Sequence, residues 1–431
     1  ATAIHFLGGT FVSTITLANF EDAGIGTDVS GAALDTASRI TMRADYGART
    51  GPDYENDPNS LVDWDGFTPY PGCAVVRNVG AGQPYATIQA GVNALPSTLT
   101  GHSCVVIRDA ATYAEQVTVR NFNNNGSSIT ILTDPAAGAR AIVSPPISST
   151  AAFLIANSSV NIQGISAGVS QNIPYGVWAS SAYVQLSSVS GSTSGGLGIY
   201  TAGVRVSSWS AISYSSVTVW SAHGIWLAGS TMTTVSYSSA VAKSASVSAL
   251  NLDGAAGNTV TRSYFSNLAG HGVYLDAGAA YNTISFSTMI SAGPGYNALY
   301  MSSADSNTVT GSYIANAVGS GAGLDGDADY NVISQSTMSG DGAGNVALII
   351  SNSDGNTVTG SWMLNPSGYS AYLELGADYN TISLSTIMSN AVAASALYIT
   401  ASSSNTILNS YVEGSTAALI SGSTGTVFGG A

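Results

Sequence analysis

The chain has 431 residues, of which 45% are hydrophobic and only 8% are charged, and its formal net charge is −14. The hydrophobic content excludes a disordered polar chain, and the negative charge argues against nucleic acid and anionic membranes as partners. No run approaches the roughly 18 uninterrupted apolar residues of a membrane span, so no membrane insertion is expected. Globular surfaces usually carry about 25% charged residues, so hydroxyl and amide groups must provide the solubility here.

Residues 1–78 do not follow the pattern of the rest of the chain and predict a strand-rich extension. Runs typical of strands occupy residues 3–7, 11–17 and 39–44. The polar stretch 45–67 combines charged residues with Gly and Pro and predicts a long loop. This extension is therefore a candidate segment for assembly.

The N-terminal third also carries the two cysteines, Cys73 and Cys104. We expect a disulfide between them, which would indicate an extracellular protein, while the alternative is two buried thiols in a reducing compartment. The sequence begins with Ala1 and shows no signal peptide, so it is expected to be either a processed form or a fragment.

A short amphipathic helix is predicted at about residues 84–95. Ile88, Val92 and Leu95 have helical spacing, Pro84 lies near the first turn, and Pro96 ends the run. The apolar end of a stack of repeats must be covered, and this helix would cover it.

The second half of the chain is a repeat. Seven asparagines follow one another at intervals of 24 or 25 residues, and each is followed two residues later by Val or Ile and five residues later by Ser: Asn258, Asn282, Asn307, Asn331, Asn356, Asn380 and Asn405. A unit this short cannot bury its own core, so the units must stack. Alternating apolar residues separated by turns predict strands, and each unit therefore predicts one coil of a parallel β-solenoid.

Less regular segments at residues 125–257 have similar spacing, which brings the total to about 12 coils and, at about 4.8 Å per strand, a rod about 60 Å long. Residues 250–412 form a double repeat of 49 residues, because the residue six positions after Asn alternates between an aromatic residue and Thr. We expect this alternation to let stacked layers interdigitate, and the Asn and Ser columns to form internal hydrogen-bonded ladders.

The chain resembles the pectin lyase-like superfamily of right-handed parallel β-helices. Residues 85–96 and 105–119 are similar to the capping helix and first coil of that superfamily, and the phrases around Asn258 and Asn282 resemble the generic parallel β-helix repeat of secreted and cell-surface proteins. The resemblance spans residues 79–431. It implies an all-β, right-handed parallel β-helix and specifies no chemistry.

The catalytic sets of that superfamily's enzymes are missing. Residues 270–272 read Gly-His-Gly as in polygalacturonase-like enzymes, but the acid–base aspartates and the basic clamp are absent. The basic residues after position 140 are Arg205, Lys243 and Arg262. The sequence therefore favours a protein without catalysis and leaves an enzyme open, with His271 and Asp276 as the best acid–base pair.

An acidic column precedes the asparagines. Asp305, Asp329, Asp354 and Asp378 each lie two residues before a repeat Asn, and Asp325 and Asp327 add two more carboxylates. Stacked carboxylates repel each other by about 1 kcal/mol per pair even in water. A row of Ca²⁺ ions is one interpretation. A solvated edge at turns that favour Asp is the other, and no cofactor is then required.

A column of hydroxyl residues follows the asparagines. Residues 259–261, 308–310 and 357–359 read Thr-Val-Thr and alternate with Thr-Ile-Ser at 283–285 and 381–383. With Val and Ile inside, the hydroxyls form a flat outer array that resembles the faces of ice-binding β-helices. The alternative is that Thr simply suits an exposed strand.

The leading functional hypothesis is a non-catalytic, secreted or cell-surface rod that acts as a fibre subunit, stalk or adhesin. It would assemble head to tail with other copies of itself, through residues 1–40 and the last coil. The alternatives are a polysaccharide-active lyase or hydrolase, a carbohydrate-binding β-helix with exposed aromatic rows, and, as a minor one, an ice-binding protein.

Overall fold

The computed structural model describes residues 73–134, 137–169, 173–193, 201–206, 208–342 and 344–430, together with six short strands before residue 65. Those strands form two parallel three-stranded sheets: Thr2–His5, Thr27–Ser30 and Glu55–Asn56 in one, and Val12–Leu17, Arg39–Ala44 and Val62–Trp64 in the other. The predicted strands at 3–7, 11–17 and 39–44 coincide with three of them. The loop predicted at 45–67 lies outside the described residues, apart from the two short strands that interrupt it.

The rest of the chain is a parallel β-solenoid of three sheets, which we call A, B and C. Sheet A has 13 strands: Val117–Arg120, Ala151–Ala156, Tyr175–Ser180, Thr201–Arg205, Ala222–Ala228, Ser248–Asp253, His271–Asp276, Asn297–Ser302, Ser320–Asp325, Leu348–Ser351, Ala371–Glu374, Ser395–Thr400 and Thr416–Ser421. Sheet B has 15 strands: Val75–Val79, Ser103–Ile107, Ile129–Thr133, Ser159–Gln163, Tyr183–Ser187, Ala211–Ser213, Thr234–Ser236, Thr259–Thr261, Thr283–Ser285, Thr308–Thr310, Val332–Ser334, Thr357–Thr359, Thr381–Ser383, Thr406–Leu408 and Val427–Gly429.

Sheet C has 13 strands: Thr112–Tyr113, Ile142–Val143, Ser166–Val169, Ser190–Thr193, Ser216–Val219, Ser239–Ala242, Tyr264–Asn267, Thr288–Ser291, Tyr313–Asn316, Thr337–Ser339, Trp362–Asn365, Thr386–Ser389 and Tyr411–Glu413. Each coil runs from B to C to A. The predicted parallel β-helix is confirmed, with about 13 coils instead of about 12. The extra coil was missed because the coils before residue 258 lack the repeated Asn by which coils are counted.

The helix Ile88–Asn93 lies inside the segment predicted at 84–95. The Thr87 hydroxyl accepts the N–H of Ala90 at 3.1 Å, and the Glu115 carboxylate accepts the N–H groups of Ile88 and Gln89 at 2.7 and 3.1 Å. These contacts satisfy the first donors of the helix. Ile88 and Val92 are buried in the same core as the first coils.

The core is a set of apolar columns that run the length of the solenoid. Strands pair in register, so that Val260, Ile284 and Val309 of sheet B stack directly on one another and are at most 1% exposed. Phe265 and Met289 form the corresponding column of sheet C. Burial of each such side chain stabilises the fold by about 1.5–3 kcal/mol.

The repeat asparagines lie inside the turn that leads into sheet B, and all seven are at most 1% exposed. The Nδ2 of Asn282 donates to the carbonyl of Ala255 at 2.7 Å and to Oδ1 of Asn307 at 3.0 Å. The serines form a second ladder at the next turn, where Ser263 N–H donates to Ser287 Oγ at 3.2 Å. Both columns supply hydrogen-bond partners to backbone groups of the turns, which water cannot reach.

The alternating aromatic residues are not between the layers, and that prediction is wrong. Tyr264, Tyr313, Trp362 and Tyr411 lie on the outer face of sheet C with exposures of 43–57%, and threonines separate them in the register. Neighbouring residues of a strand point to opposite faces. Since Phe265 points inwards, Tyr264 must point out.

The two cysteines are bonded in the structure. Cys73 and Cys104 form a disulfide with Cα atoms 5.7 Å apart, next to the buried side chains of Val106 and Leu132. The bond ties the segment before the first strand of sheet B to the second strand of that sheet.

Candidate functional site

The outer face of sheet A carries the chain's main concentration of polar and aromatic side chains. In the strand His271–Asp276, Val273 and Leu275 are buried, so His271, Tyr274 and Asp276 face outwards. The register places chemically related positions side by side in consecutive coils. Trp226, Asn251, Tyr274 and Tyr300 form one column, and Asp253 is paired with Asp276 in the next.

A groove of about 390 Å³ opens on this face. The turn at residues 245–248 forms one wall, and the strands that contain His223, Asn251 and His271 form the floor. The complete lining is His223, Trp226, Ala245, Ser246, Val247, Ser248, Asn251, Asp253, His271, Tyr274, Asp276 and Tyr296.

Three polar atoms in this groove are buried and have no hydrogen-bond partner: Nε1 of Trp226, Oδ1 of Asn251 and Oδ1 of Asp276. Among the described residues only six side-chain atoms are in this state, so half of them lie in one groove. An unpaired buried polar atom costs about 1–3 kcal/mol and is rare in native proteins. Their concentration here gives the groove a set of donors and acceptors that is free to bond a ligand.

Aromatic rings surround His271. Its imidazole stacks on the Tyr300 ring with centroids 4.8 Å apart and lies 5.3 Å from Tyr274 and 5.0 Å from Tyr296. The Tyr300 hydroxyl donates to Asp325 Oδ2 at 2.9 Å, which fixes that ring. The result is a rigid aromatic wall beside the unpaired atoms.

The two groove histidines are neutral hydrogen-bond donors. Burial lowers the pKa of His223 and of His271 to about 4. In each ring Nδ1 accepts a backbone N–H from the following coil at 3.1 Å, from Ser248 and Asn297 respectively. The proton of the neutral ring is therefore on Nε2, so neither histidine can accept a proton at Nε2.

Asp276 is the ionisable group of the groove. Burial and, next, the charge of Asp253 raise the pKa of its carboxyl, the hydrogen bond from the Tyr274 hydroxyl lowers it, and the net result is a pKa of about 6. The predicted pair His271 and Asp276 thus lines one groove, with the carboxyl as the group able to exchange a proton near neutral pH. Sequence reasoning missed Asn251 and Asp253, whereas Trp226 belongs to the exposed aromatic rows that the carbohydrate-binding alternative expects. The available signal was that these outward positions are aligned one and two coils before Tyr274 and Asp276.

The acidic column lies at the turns between sheets A and B. Each carboxylate accepts the backbone N–H of the next aspartate: Asp329 N–H donates to Asp305 at 2.9 Å, and Asp354 N–H donates to Asp329 at 2.7 Å. Asp378 N–H continues the row to Asp354 at 2.8 Å. Asp327 accepts the side-chain N–H of Asn352 at 3.0 Å. The column is therefore a ladder of side chain to backbone bonds, as well as a row of negative charge.

Within the described ranges, the His, Cys, Asp and Glu ligand atoms that come together in a group of three within 4.8 Å belong to Cys73, His102 and Cys104, and both of those cysteines are in the disulfide. Calcium at the acidic column stays a proposal, since backbone oxygens and water also bind this ion.

The hydroxyl face is the outer side of sheet B. Thr261 Oγ1 accepts the hydroxyl of Ser285 at 3.0 Å, and Thr310 and Thr359 accept those of Ser334 and Ser383 at the same distance. Many hydroxyls are therefore already paired across coils. Val332 and Leu408 interrupt the array.

The sequence matches the model of one protein family, described as the right handed beta helix region, over residues 196–325 and 248–430. The two matches together span 196–430, which is 235 of 431 residues and more than half of the chain. The chain belongs to the right-handed β-helix family. The predicted resemblance to right-handed parallel β-helix repeat proteins is thereby confirmed. No curated protein sequence matches the chain.

Solved structures with a similar fold include two epimerases and a phage protein. The Azotobacter vinelandii mannuronan C-5 epimerase AlgE6 A-module is 12% identical with a TM-score of 0.48, over 79% of this chain and 94% of its own. The periplasmic alginate epimerase AlgG is 9% identical with a TM-score of 0.49, over 80% and 83%. Tailspike protein 3 of bacteriophage CBA120 is 11% identical with a TM-score of 0.39, over 74% and 56%.

The described part of this β-helix contains no helix with the length and apolar character needed to cross a bilayer.

Proposed function

We propose that this protein is a carbohydrate-binding β-helix, which holds a segment of a glycan in the groove on the outer face of sheet A. The observation that carries the proposal is the set of three unpaired buried atoms in that groove, on Trp226, Asn251 and Asp276. Sugars present hydroxyls that both donate and accept hydrogen bonds, together with apolar C–H faces. A ligand of this kind would satisfy all three atoms and pack against the aromatic wall.

The donor and acceptor pattern of the groove is mixed, as sugar hydroxyls require. Trp226 Nε1–H can donate, while the Oδ1 atoms of Asn251 and Asp276 can accept. His271 adds a second neutral donor through Nε2. Satisfying each buried atom recovers about 1–3 kcal/mol, so a few sugar units would suffice for specific binding.

Catalysis is the second candidate function, and the pKa of Asp276 favours it. A carboxyl with a pKa of about 6 can act as a general acid or a general base near neutral pH. Tyr300 does not serve as a base, since burial and its bond to Asp325 raise the pKa of its hydroxyl to about 12. A polysaccharide-active enzyme built on this groove would therefore depend on Asp276, and replacing it with Asn would abolish turnover.

Calorimetric titration tests the binding proposal: a panel of soluble oligosaccharides is titrated into the natural protein and into three variants of it. Trp226→Phe removes the N–H and keeps an aromatic ring, and Asn251→Ala removes the acceptor. Each should weaken binding about 5- to 150-fold, the equivalent of 1–3 kcal/mol. Trp362→Phe is the matched control, because Trp362 is exposed on sheet C and outside the groove. Unchanged affinity in the two groove variants, or no binding by any glycan, overturns the proposal.

End-to-end assembly into an extracellular fibre is a separate proposal, and one observation favours it. The last coil described exposes apolar residues that are buried one coil earlier. Ile420 is 42% exposed although its partner Ile399 is 0%, and Phe428 is 48% exposed although Ile407 is 3%. The strands of residues 1–40 from a second copy would cover this surface. Deletion of residues 1–40 should leave a monomer, and full-length protein that sediments as a monomer at high concentration contradicts the proposal.

A further inference from the structure

The groove has an excess of negative charge that the protein itself does not neutralise. We infer that its ligand is a glycan carrying ammonium groups, an amino-sugar polymer, and not a uronate polymer. The inference rests on the proposed carbohydrate binding and names the class of sugar. It is carried by Asn251, Asp253 and Asp276, whose outward side chains are neighbours on two adjacent strands.

The groove lining contains two carboxylates, those of Asp253 and Asp276, and no Lys or Arg. Both histidines in the lining use Nδ1 to accept a backbone N–H, and they are neutral at pH 7. Neither carboxylate forms an ion pair with another described residue.

The cations nearest in the sequence do not line the groove, although Arg205 packs on the lining residue Trp226. The Arg205 guanidinium carbon lies 4.7 Å from the centre of the Trp226 ring, and Lys243 Nζ lies 4.3 Å from the centre of the Trp220 ring. These cation–π contacts keep both charges on aromatic faces. Apart from Lys243, the one Lys or Arg between residue 206 and the C-terminus is Arg262. Its guanidinium packs against the rings of Tyr237 and Phe286, at another turn of the solenoid.

Asn251 and Asp253 are alternate residues of one strand and so point to the same face, and Asp276 is the register partner of Asp253 on the next strand. Asn251 is only 5% exposed, and its Oδ1 has no partner. Three acceptors from two adjacent strands therefore lie side by side on this face. An ammonium group has three N–H donors and one positive charge, which matches this set.

Two other kinds of ligand are excluded. Calcium requires six to eight oxygen ligands. Among the described residues, Asp253 and Asp276 do not belong to any group of three His, Cys, Asp or Glu side chains whose ligand atoms lie within 4.8 Å of one another. A uronate would bring a third carboxylate next to two existing ones. At about 5 Å and an effective dielectric near 20, each like-charge pair costs several kcal/mol, and the groove offers only neutral donors in return.

The test compares three β-1,4-linked oligosaccharides of equal length in which only the substituent differs: glucosamine, N-acetylglucosamine and a uronate. Calorimetric titrations are done at low salt and at about pH 6.5, where the Asp276 carboxyl, with its pKa of about 6, is mostly ionised and a large share of the sugar amines is protonated. The glucosamine oligomer should bind at least about tenfold more tightly than its N-acetylated form, which corresponds to 1.4 kcal/mol. That preference should shrink as salt screens the ion pairs, and the uronate should bind most weakly.

Two isosteric variants locate the effect. Asp253→Asn and Asp276→Asn should each weaken binding of the glucosamine oligomer by a larger factor than binding of its N-acetylated form, so that the preference for glucosamine shrinks. Asp305→Asn is the control, because it removes one charge from the acidic column outside the groove, and it should change nothing. Thermal melts verify that each variant is folded.

The outcomes separate the two proposals. Equal or weaker binding of glucosamine relative to its N-acetylated form overturns the charge inference and leaves carbohydrate binding intact. Tighter binding of the uronate likewise overturns it. Failure of all three oligosaccharides and of the wider panel to bind overturns the proposed function, and the inference with it.

Discussion

Oδ1 of Asn282 accepts two hydrogen bonds from Asn258, one from its backbone N–H at 3.0 Å and one from its side-chain N–H at 2.9 Å. A single carbonyl oxygen thus holds two donors that belong to the preceding coil. Because both residues are buried, no water can replace these bonds. The coils are therefore locked in register by side chains as well as by strand pairing.

The first prediction concerns this ladder. Asn307 accepts two N–H groups of Asn282 at 2.9 and 3.0 Å, so Asn307→Ala leaves two buried donors unpaired. The free energy of unfolding should fall by about 2–5 kcal/mol. Asn356→Ala is the matched comparison, since Nδ2 of Asn356 has no partner and its Oδ1 accepts one backbone N–H, from Asn331. It should cost about half as much by denaturant titration. Equal losses would contradict the role of the side-chain bonds.

The second prediction separates backbone strain from contact at two equivalent glycines. Gly257 and Gly355 each precede a ladder Asn, with φ of +66° and +65°. A Cβ at Gly257 would meet nothing within 4 Å, whereas at Gly355 it would lie 2.7 Å from the Tyr330 ring. Gly257→Ala should cost about 1 kcal/mol for the left-handed backbone alone. Gly355→Ala should cost more.

A double-mutant cycle verifies the cause of that difference. In a Tyr330→Ala background, Gly355→Ala should cost the same as Gly257→Ala, because the ring is gone. If the extra cost persists without the ring, the contact is not its source.

The third prediction tests the acidic column. Asp354 accepts the N–H of Asp378 at 2.8 Å, and an Asn side chain can do the same without charge. Asp354→Asn should therefore leave the melting temperature equal or higher, while Asp354→Ala should lose about 1 kcal/mol. If calcium binds here, millimolar Ca²⁺ should raise the melting temperature of the natural protein relative to EGTA, and Asp354→Asn should abolish that rise. A melting temperature indifferent to Ca²⁺ leaves the column with its ladder role alone.

The fourth prediction is a pH dependence. The folded pKa of Asp276 is about 6, above its ordinary value of 3.8, so the folded state binds more protons between these pH values. Stability from the protonated carboxyl is then fully present below about pH 4 and is lost as pH rises through about 6. Asp276→Asn should be no more stable than the natural protein below about pH 4, should gain relative stability as pH rises from about 4 to about 6, and should keep that gain unchanged above pH 6. Thermal melts of both proteins across this range measure the difference, and a constant difference contradicts the raised pKa.

The solenoid was predictable because the same residue types recur at the same positions of every repeat. A buried Asn at fixed spacing, followed by Val or Ile, leaves one arrangement that stacks like on like. The direction of the aromatic column was not predictable in the same way. Tyr264 and Phe265 are both large and aromatic, and only the coil's path decides which of them faces the core.

The groove was only partly predictable. His271 and Asp276 are visible as titratable residues, but the partners that define their chemistry come from other coils. Asn251 resembles any other Asn in a strand until the register places it beside Tyr274. The tautomer of His271 depends on a backbone N–H 26 residues away, and no local pattern in the sequence encodes that contact.

The alternation of Tyr264, Thr288 and Tyr313 on sheet C restricts how this rod can change length. Deleting one coil would place two large rings on adjacent strands about 4.8 Å apart, so they would stack as Tyr372 and Tyr398 do on sheet A instead of each lying against a Thr. Removing two coils restores every neighbour on sheet C. Length variants that keep these neighbours should therefore differ by multiples of 49 residues, in steps of about 10 Å along the axis.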